Sequence, residues 1–232
     1  MDLWQRFTNL LGSSVEAMGG LFDRLTALVS GDPEDRRQMT FSVAIVALSA
    51  KMAKADGVVT FDEIAAFKRL VAYPERQARH VERLFDLARR DVAGYESYAA
   101  KIAGLYEKGD PILTDIIDAL FVIAGADSLI HEAEIEFLSN VARVFALTER
   151  EFEAIKARHI LPEEGDPYLI IGGERSDSFD DLKRRYRELV AENHPDRLVA
   201  RGVPPEFIAL ANHRLAAINV AWDRIETELR PA

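Results

Sequence analysis

Apolar residues recur at steps of three and four along most of this chain, while the strict alternation typical of strands does not compete. Such steps place side chains on one face of an α-helix. Two examples are Met39, Val43, Val46, Ala47 and Ala50, and Ile64, Phe67, Leu70 and Val71. The pattern predicts an all-α protein with roughly seven helices between residues 35 and 160.

The first 34 residues carry an apolar stripe of their own. It comprises Trp4, Phe7, Leu11, Met18, Phe22, Leu25 and Val29. An amphipathic helix of this kind packs on its own domain or on a second copy of the chain. The alternative to packing within the domain or self-association is peripheral membrane contact through residues 1–30, although the polar face lacks the basic excess typical of membrane-surface helices. A Gly-Asp-Pro sequence at 31–33 ends the segment.

Capping residues divide the rest of the chain. Thr148 and Glu151 spell a capping box that predicts a helix running to about His159. A polar, breaker-containing stretch at 161–165 then predicts a linker. The resulting organisation is an N-terminal amphipathic helix at 1–34, a helical domain at 35–160, the linker, and a second domain at 166–232.

The second domain opens with predicted caps at Asp166 and Ser178. The helix after Ser178 places apolar residues on one side and a basic ridge on the other, with Lys183, Arg184 and Arg187 in the ridge. Pro195 restricts its predecessor to extended angles, which predicts that this helix ends and leaves His194-Pro195-Asp196 in a tight, exposed loop. Two prolines at 204–205 open a long final helix, so two long antiparallel helices are expected.

This combination resembles a DnaJ J-domain: a tyrosine- and glycine-containing opening helix, a basic helix, His194-Pro195-Asp196, and a final helix with an Ile-Asn-Val-Ala-Trp sequence at 218–222. The resemblance implies docking on a DnaK-type heat-shock chaperone and stimulation of its ATP hydrolysis. The implied contact residues are His194, Pro195, Asp196, Lys183, Tyr186, Arg187 and Arg197. Arg185, Glu188 and Asn193 depart from the family's usual residues, which puts the choice of DnaK partner in question.

An internal repeat occupies the first domain. Ala55-Asp56-Gly57-Val58-Val59 with Glu63 matches the later stretch 126–130 with Glu134. The arrangement resembles the TerB family over roughly 40 to 150, an all-helical fold. For the repeated acids Asp56, Glu63, Asp127 and Glu134, helix capping and pairing with nearby lysines is one interpretation. The alternative, which the resemblance raises, is a site for a hard divalent cation, because such ions prefer carboxylate oxygens.

The composition limits which partners and which cellular compartment are expected. The formal net charge of -10 argues against nucleic acid as a partner, because phosphate binding depends on clustered Lys and Arg. No stretch approaches the ~20 apolar residues of a membrane-spanning helix. Cysteine is absent and no secretion signal is recognisable, which favours a cytoplasmic protein, with a peripheral position at the inner membrane face as the alternative.

Together these features predict an all-α co-chaperone in which a TerB-like helical bundle is followed by a C-terminal J-domain helical hairpin. The bundle would supply specificity for client proteins, a metal or a location, in a stress response. The alternative is a metal-responsive stress sensor or adaptor in which cation binding is primary. The chain itself is expected not to be an enzyme, since no nucleophile accompanies His194 and Asp196. No cofactor is expected other than the divalent cation considered for the first domain.

Overall fold

A computed structural model describes residues 33–55, 94–125, 130–160 and 165–229, and all regular structure in these ranges is helical. The fold class is therefore all-α, as predicted. The first bundle consists of α1 (Pro33–Ala55), α2 (Tyr95–Ala103), α3 (Pro111–Ala124), α4 (Glu132–Val144) and α5 (Glu149–His159). The C-terminal module consists of α6 (Pro167–Ile170), α7 (Phe179–Glu192), α8 (Pro195–Ala200), a 3-10 turn (Pro205–Phe207) and α9 (Ile208–Leu229).

Side-chain caps define several helix starts where the sequence predicts them. Thr148 Oγ1 accepts the backbone N–H of Glu151 at 3.2 Å, and Glu151 Oε2 accepts that of Thr148 at 2.7 Å. The Asp166 side chain accepts the backbone N–H of Tyr168 in α6, and the Ser178 side chain accepts that of Asp181 in α7. Each bond satisfies an N–H that has no partner within its helix. Local sequence therefore determines where these helices begin.

Helix α3 forms the centre of the first bundle. It contacts α1, α4 and α5, and it also contacts α9 of the C-terminal module. Its apolar residues are almost fully buried, among them Ile116, Ile117, Leu120 and Phe121. Two acidic residues of the same helix, Asp115 and Asp118, are buried with them. A buried carboxylate requires partners, and these come from the C-terminal module and from α5.

The C-terminal module has a small core at one end. It contains Tyr168, Ile170, Ile171, Leu182, Ala221, Trp222 and Ile225. The Tyr186 ring stacks on Trp222, with centroids 4.9 Å apart and an interplanar angle of 11°. The Phe179 ring leans on the same indole at 5.5 Å. These contacts hold α7 and α9 together as an antiparallel pair.

The other end of the module belongs to the core of the first bundle. The residues it contributes are Leu198, Val203, Phe207, Leu210 and Ala211. Phe207 meets Phe41 of α1 edge to face, with ring centroids 4.9 Å apart. Helix α9 consequently spans two hydrophobic cores, one shared with the first bundle and one internal to the module.

Gly202 allows the segment after α8 to lie directly on α1. Its φ of +98° is in the region that favours glycine, and a Cβ there would lie 2.6 Å from the Cβ of Arg37. The Arg37 Nε donates to the carbonyl of Arg201 at 2.9 Å. The same guanidinium binds both carboxylate oxygens of Asp110, the residue that caps α3. Arg37 therefore links α1, α3 and the segment after α8.

Candidate functional site

The His194-Pro195-Asp196 tripeptide lies at the start of a helix rather than in a simple loop. Helix α7 ends at Glu192, as Pro195 requires, but Pro195 and Asp196 form the first turn of α8. Proline is favoured at this position because it needs no hydrogen-bond acceptor. His194 Nδ1 accepts the backbone N–H of Asp196 at 3.3 Å. The sequence predicts a tight, exposed loop after α7. His194 and Asp196 are exposed, but the tripeptide forms the start of a helix.

The three residues differ in what they present to solvent. The Asp196 side chain is 92% exposed and that of His194 is 57% exposed, whereas Pro195 is half-buried. The negative charge of Asp196 also lies at a helix N-terminus, where the helix dipole favours it. The tripeptide therefore offers a fixed carboxylate and an imidazole edge to any molecule that approaches this surface.

Helix α7 separates an apolar side from a basic side. Leu182 is fully buried, and Lys183 Nζ lies 5.7 Å from the centroid of the Phe179 ring. Arg184 pairs with Asp181 at 2.7 Å. Bonds from Ser178 and from Arg184 lower the pKa of the Asp181 carboxyl. Arg187 is exposed.

A groove of about 500 Å³ joins the basic side of α7 to the tripeptide. Its lining residues are Tyr186, Arg187, Val190, Ala191, His194, Asp196 and Arg197. The structure thus brings five of the seven predicted contact residues to one groove. Lys183 lies one helical turn before Arg187 on α7, and Pro195 lies within the tripeptide. That these residues contact a partner stays a prediction.

Tyr186 uses its ring and its hydroxyl within the module. The ring packs on Trp222, and the hydroxyl donates to Asn219 Oδ1 of α9 at 3.1 Å. Its edge still lines the groove. Tyr186 therefore helps to fix the position of α7 on α9, beside the surface to which it contributes.

Sequence reasoning missed a buried charged cluster behind the tripeptide. Arg214 of α9, only 3% exposed, binds Asp115 Oδ1 through Nη1 at 2.5 Å, and its Nε pairs with Asp118 Oδ2. The same Nη1 donates to Asn193 Oδ1 at 3.1 Å. Asn193 immediately precedes His194. A single arginine thus contacts both buried aspartates of α3 and the residue that leads into the tripeptide.

Further cations complete this cluster. Arg201, at the end of α8, approaches Asp115 Oδ1 at 3.4 Å. Arg158 of α5 lies 3.7 Å from Asp118 Oδ1, and burial lowers its pKa to about 10, which leaves it protonated at neutral pH. A signal for the cluster was present in the sequence, since Asp115 and Asp118 interrupt an otherwise apolar helix and Arg214 interrupts an apolar stripe.

The predicted cation site lies mostly outside the described residues. This applies to Asp56, Glu63 and Asp127. Glu134 is described and buried, and its Oε2 accepts the backbone N–H of His131 at 2.8 Å, as the capping interpretation expects. Within the described ranges no group of three or more His, Asp or Glu side chains is arranged to hold a metal ion. A divalent cation at these four acids stays a prediction.

The N-terminal segment 1–32 also lies outside the described residues, and with it the prediction of a helix that contacts lipid or a second copy. Among the helices that the structure describes, none combines the length and the apolar character needed to cross a bilayer.

Comparisons with known proteins give a match to one family model and to several curated proteins. The family model described as tellurite resistance protein TerB matches residues 42–157, half of the chain. The co-chaperone protein DjlA of Photobacterium profundum is 27% identical over 221 residues, covering 84% of this chain and 79% of that protein. DjlA of Vibrio vulnificus is 24% identical over 234 residues, covering 85% and 81%.

One match covers fewer residues at a higher sequence identity. DjlA of Shewanella oneidensis is 41% identical over 63 residues, which is 27% of this chain and 24% of that protein. No solved structure matches this chain. The all-helical first bundle, the match to the family model and the extended similarity to DjlA agree with one another. The chain therefore belongs to the TerB family, as a DjlA-like protein that is similar to DjlA co-chaperones over most of its length.

Proposed function

We propose that this protein is a co-chaperone that docks on a DnaK-type heat-shock ATPase and stimulates its ATP hydrolysis. The observation that carries the proposal is the exposed His194-Pro195-Asp196 turn, which lies at one end of a groove lined by Arg187 and Arg197. The named relatives are co-chaperones, which supports the same function.

Asp196 is the central contact in this proposal. Its carboxylate projects into solvent from a helix start and accepts charge-assisted bonds, of which the bidentate pair with arginine is the strongest. Because Pro195 and α8 already hold the backbone, little ordering cost remains when a partner binds. An arginine on the partner is therefore the complement that this turn fits.

The basic side chains around the groove act at longer range. Arg187 and Arg197 place positive charge in the groove beside the tripeptide, and Lys183 lies one helical turn before Arg187, on a chain whose formal net charge is -10. Local complementarity to an acidic partner surface steers the encounter and the orientation more than it raises final affinity. The docking surface is accordingly expected to bind faster at low salt.

The chemical step belongs to the partner. His194 engages its own turn through Nδ1, and Asp196 is solvent-exposed, so the two do not form the ordered relay that activates a nucleophile. Stimulation then means that docking favours the hydrolysis-competent state of the ATPase. The first bundle, in this proposal, provides specificity for client proteins or for a location.

Single-turnover ATP hydrolysis by the host's DnaK-type ATPase tests the proposal. Wild-type chain is expected to accelerate hydrolysis, and His194→Gln or Asp196→Asn to raise the concentration for half-maximal stimulation by about thirty-fold or more, the loss expected for a charged docking contact. Asp180→Asn is a matched control, because this exposed aspartate lies at the opposite end of α7.

Two results would contradict the proposal. One is wild-type chain that leaves the rate of hydrolysis unchanged at saturating concentration. The other is a half-maximal concentration in both tripeptide variants that equals that of the wild-type chain. Thermal unfolding of each variant completes the comparison, because the exposed side chains of His194 and Asp196 are expected to contribute little to stability.

A further inference from the structure

Helix α8, which begins with Pro195 and Asp196, is attached to the first bundle at both ends. At its start, Asn193 accepts a bond from Arg214, which in turn binds Asp115 of α3. At its end, Arg201 approaches the same aspartate with its side chain and accepts a bond from Arg37 with its carbonyl. Between these points Leu198 is buried in the core of the first bundle.

Asn193 is locked between two elements. Its Nδ2 donates to the carbonyl of Leu189 at 2.8 Å, which closes the end of α7, and its Oδ1 accepts from Arg214. Both of its polar atoms are therefore used, and the residue is 7% exposed. The direction in which the chain leaves α7 and enters the tripeptide depends on this side chain.

The buried charges are better suited to fixing geometry than to adding stability. Removing two charges from water costs most of what their attraction returns, so a buried ion pair is weak evidence for net stabilisation. Its geometry is demanding, however, because a guanidinium donates through a rigid, planar fork. Arg214 reaches Asp115, Asp118 and Asn193 at once, and this set of contacts connects α9 and α3 to the residue before the tripeptide.

We propose that Arg214 is a positioning residue for the docking turn: through Asn193 and Asp115 it makes the orientation of His194-Pro195-Asp196 depend on the first bundle. The inference rests on the proposed function and deepens it. It makes the TerB-family bundle part of the device that presents the tripeptide, in addition to any partner the bundle binds. Loosening the junction lowers the fraction of molecules that hold the turn in its docking orientation.

Asn193→Ala is the mildest test. It removes the bond to Arg214 together with the bond to the Leu189 carbonyl, and it leaves every charge of the cluster in place. If the competent orientation falls to a fifth of the population, the concentration for half-maximal stimulation of the ATPase rises about five-fold, while the rate at saturation is retained because docking restores the orientation. If Asn193→Ala acted only by destabilising the fold, the change in half-maximal concentration would be accompanied by a fall in the melting temperature.

A second variant removes one positive and one negative charge from the cluster at the same time. Arg214→Met with Asp115→Leu replaces one buried cation and one buried anion with apolar side chains, a change that often preserves stability. The variant is expected to raise the half-maximal concentration as Asn193→Ala does. Adding Asn193→Ala to it is expected to have a smaller effect than in the wild-type chain, because only the bond to the Leu189 carbonyl is then left to lose. Amide hydrogen exchange of residues 196–198 is expected to become faster in both variants.

Arg224→Met is the matched control. Arg224 lies on the same helix and donates to the carbonyl of Gly165 at 2.7 Å, whereas Arg214 contacts Asp115, Asp118 and Asn193. It is expected to lower the melting temperature and leave the half-maximal concentration unchanged. Wild-type half-maximal concentration in Asn193→Ala, or an equal rise in Arg224→Met at similar stability, would overturn the inference. Failure of the wild-type chain to stimulate would instead overturn the proposed function.

Discussion

His159 and Asp118 form a buried pair, with 2.6 Å between Nε2 and Oδ1 and side chains that are 3% and 0% exposed. Burial and the nearby Arg158 lower the pKa of His159 to about 3. The carboxylate of Asp118 is already balanced by Arg158 and Arg214. The imidazole is therefore neutral at physiological pH and donates its Nε2–H to Asp118.

This pair predicts that the protein loses stability in mild acid. Below pH about 6.5 the unfolded chain protonates His159 while the folded chain does not, so the free energy of unfolding falls as pH decreases, by up to about 1.4 kcal/mol per pH unit for one proton. His213, stacked on His159 at 5.0 Å, has a pKa lowered by burial and by that neighbour, and contributes in the same direction.

Urea unfolding between pH 7 and pH 5 measures this dependence. His159→Gln keeps a donor for Asp118 without an ionisable ring, so its unfolding free energy is expected to fall less steeply over this range than that of the wild-type chain. An unchanged acid slope in His159→Gln would contradict a neutral buried imidazole, because it would mean that His159 takes up its proton at the same pH in the folded and unfolded chain.

Adding a single methyl group at Gly202 is expected to lower the free energy of unfolding. Gly202→Ala forces a positive φ on alanine and pushes a Cβ into Arg37, so a loss of about 2–4 kcal/mol in the free energy of unfolding is expected. Gly109→Ala is the matched control: its φ of +81° is equally unfavourable, but nothing lies within 4 Å of the added Cβ, so about 1 kcal/mol is expected. Chemical denaturation distinguishes them, and equal losses would mean that the contact with α1 is unimportant.

Arg187 predicts salt-dependent docking. Arg187→Ala is expected to slow association with the DnaK-type partner by about three- to ten-fold at low ionic strength and by much less in 0.5 M salt, where screening is strong. Arg184→Ala serves as the control, because Arg184 is already paired with Asp181. Association rates at two salt concentrations provide the measurement, and equal effects of the two substitutions at low salt would exclude a steering role for Arg187.

Features determined by neighbouring residues could be predicted from the sequence. Each of these features depends on side chains within four positions along the chain. They are the caps at Thr148, Asp166 and Ser178, the end of α7 before Pro195 and the basic side of α7. The start of α8 at Pro195 was not predicted, because a proline that restricts the preceding residue to extended angles is typical both of a loop and of the first turn of a helix.

The buried cluster could not be predicted, for a different reason. Arg214 and Asp115 lie 99 positions apart, and neither has a local pattern that names the other. An arginine within an apolar stripe indicates only that a buried partner is required. Which of the 39 acidic residues supplies it depends on how the two parts of the chain pack.

The 3-10 turn before α9 contributes Phe207 to one core, and α9 contributes Leu210 and Ala211 to the same core and Ala221, Trp222 and Ile225 to the other, so we expect the two parts of the protein to unfold together. A fragment excised at residue 166 would expose the first set of these apolar side chains to water. Heat or denaturant would likewise act on both cores through one continuous helix. The protein is consequently expected to melt in a single cooperative transition.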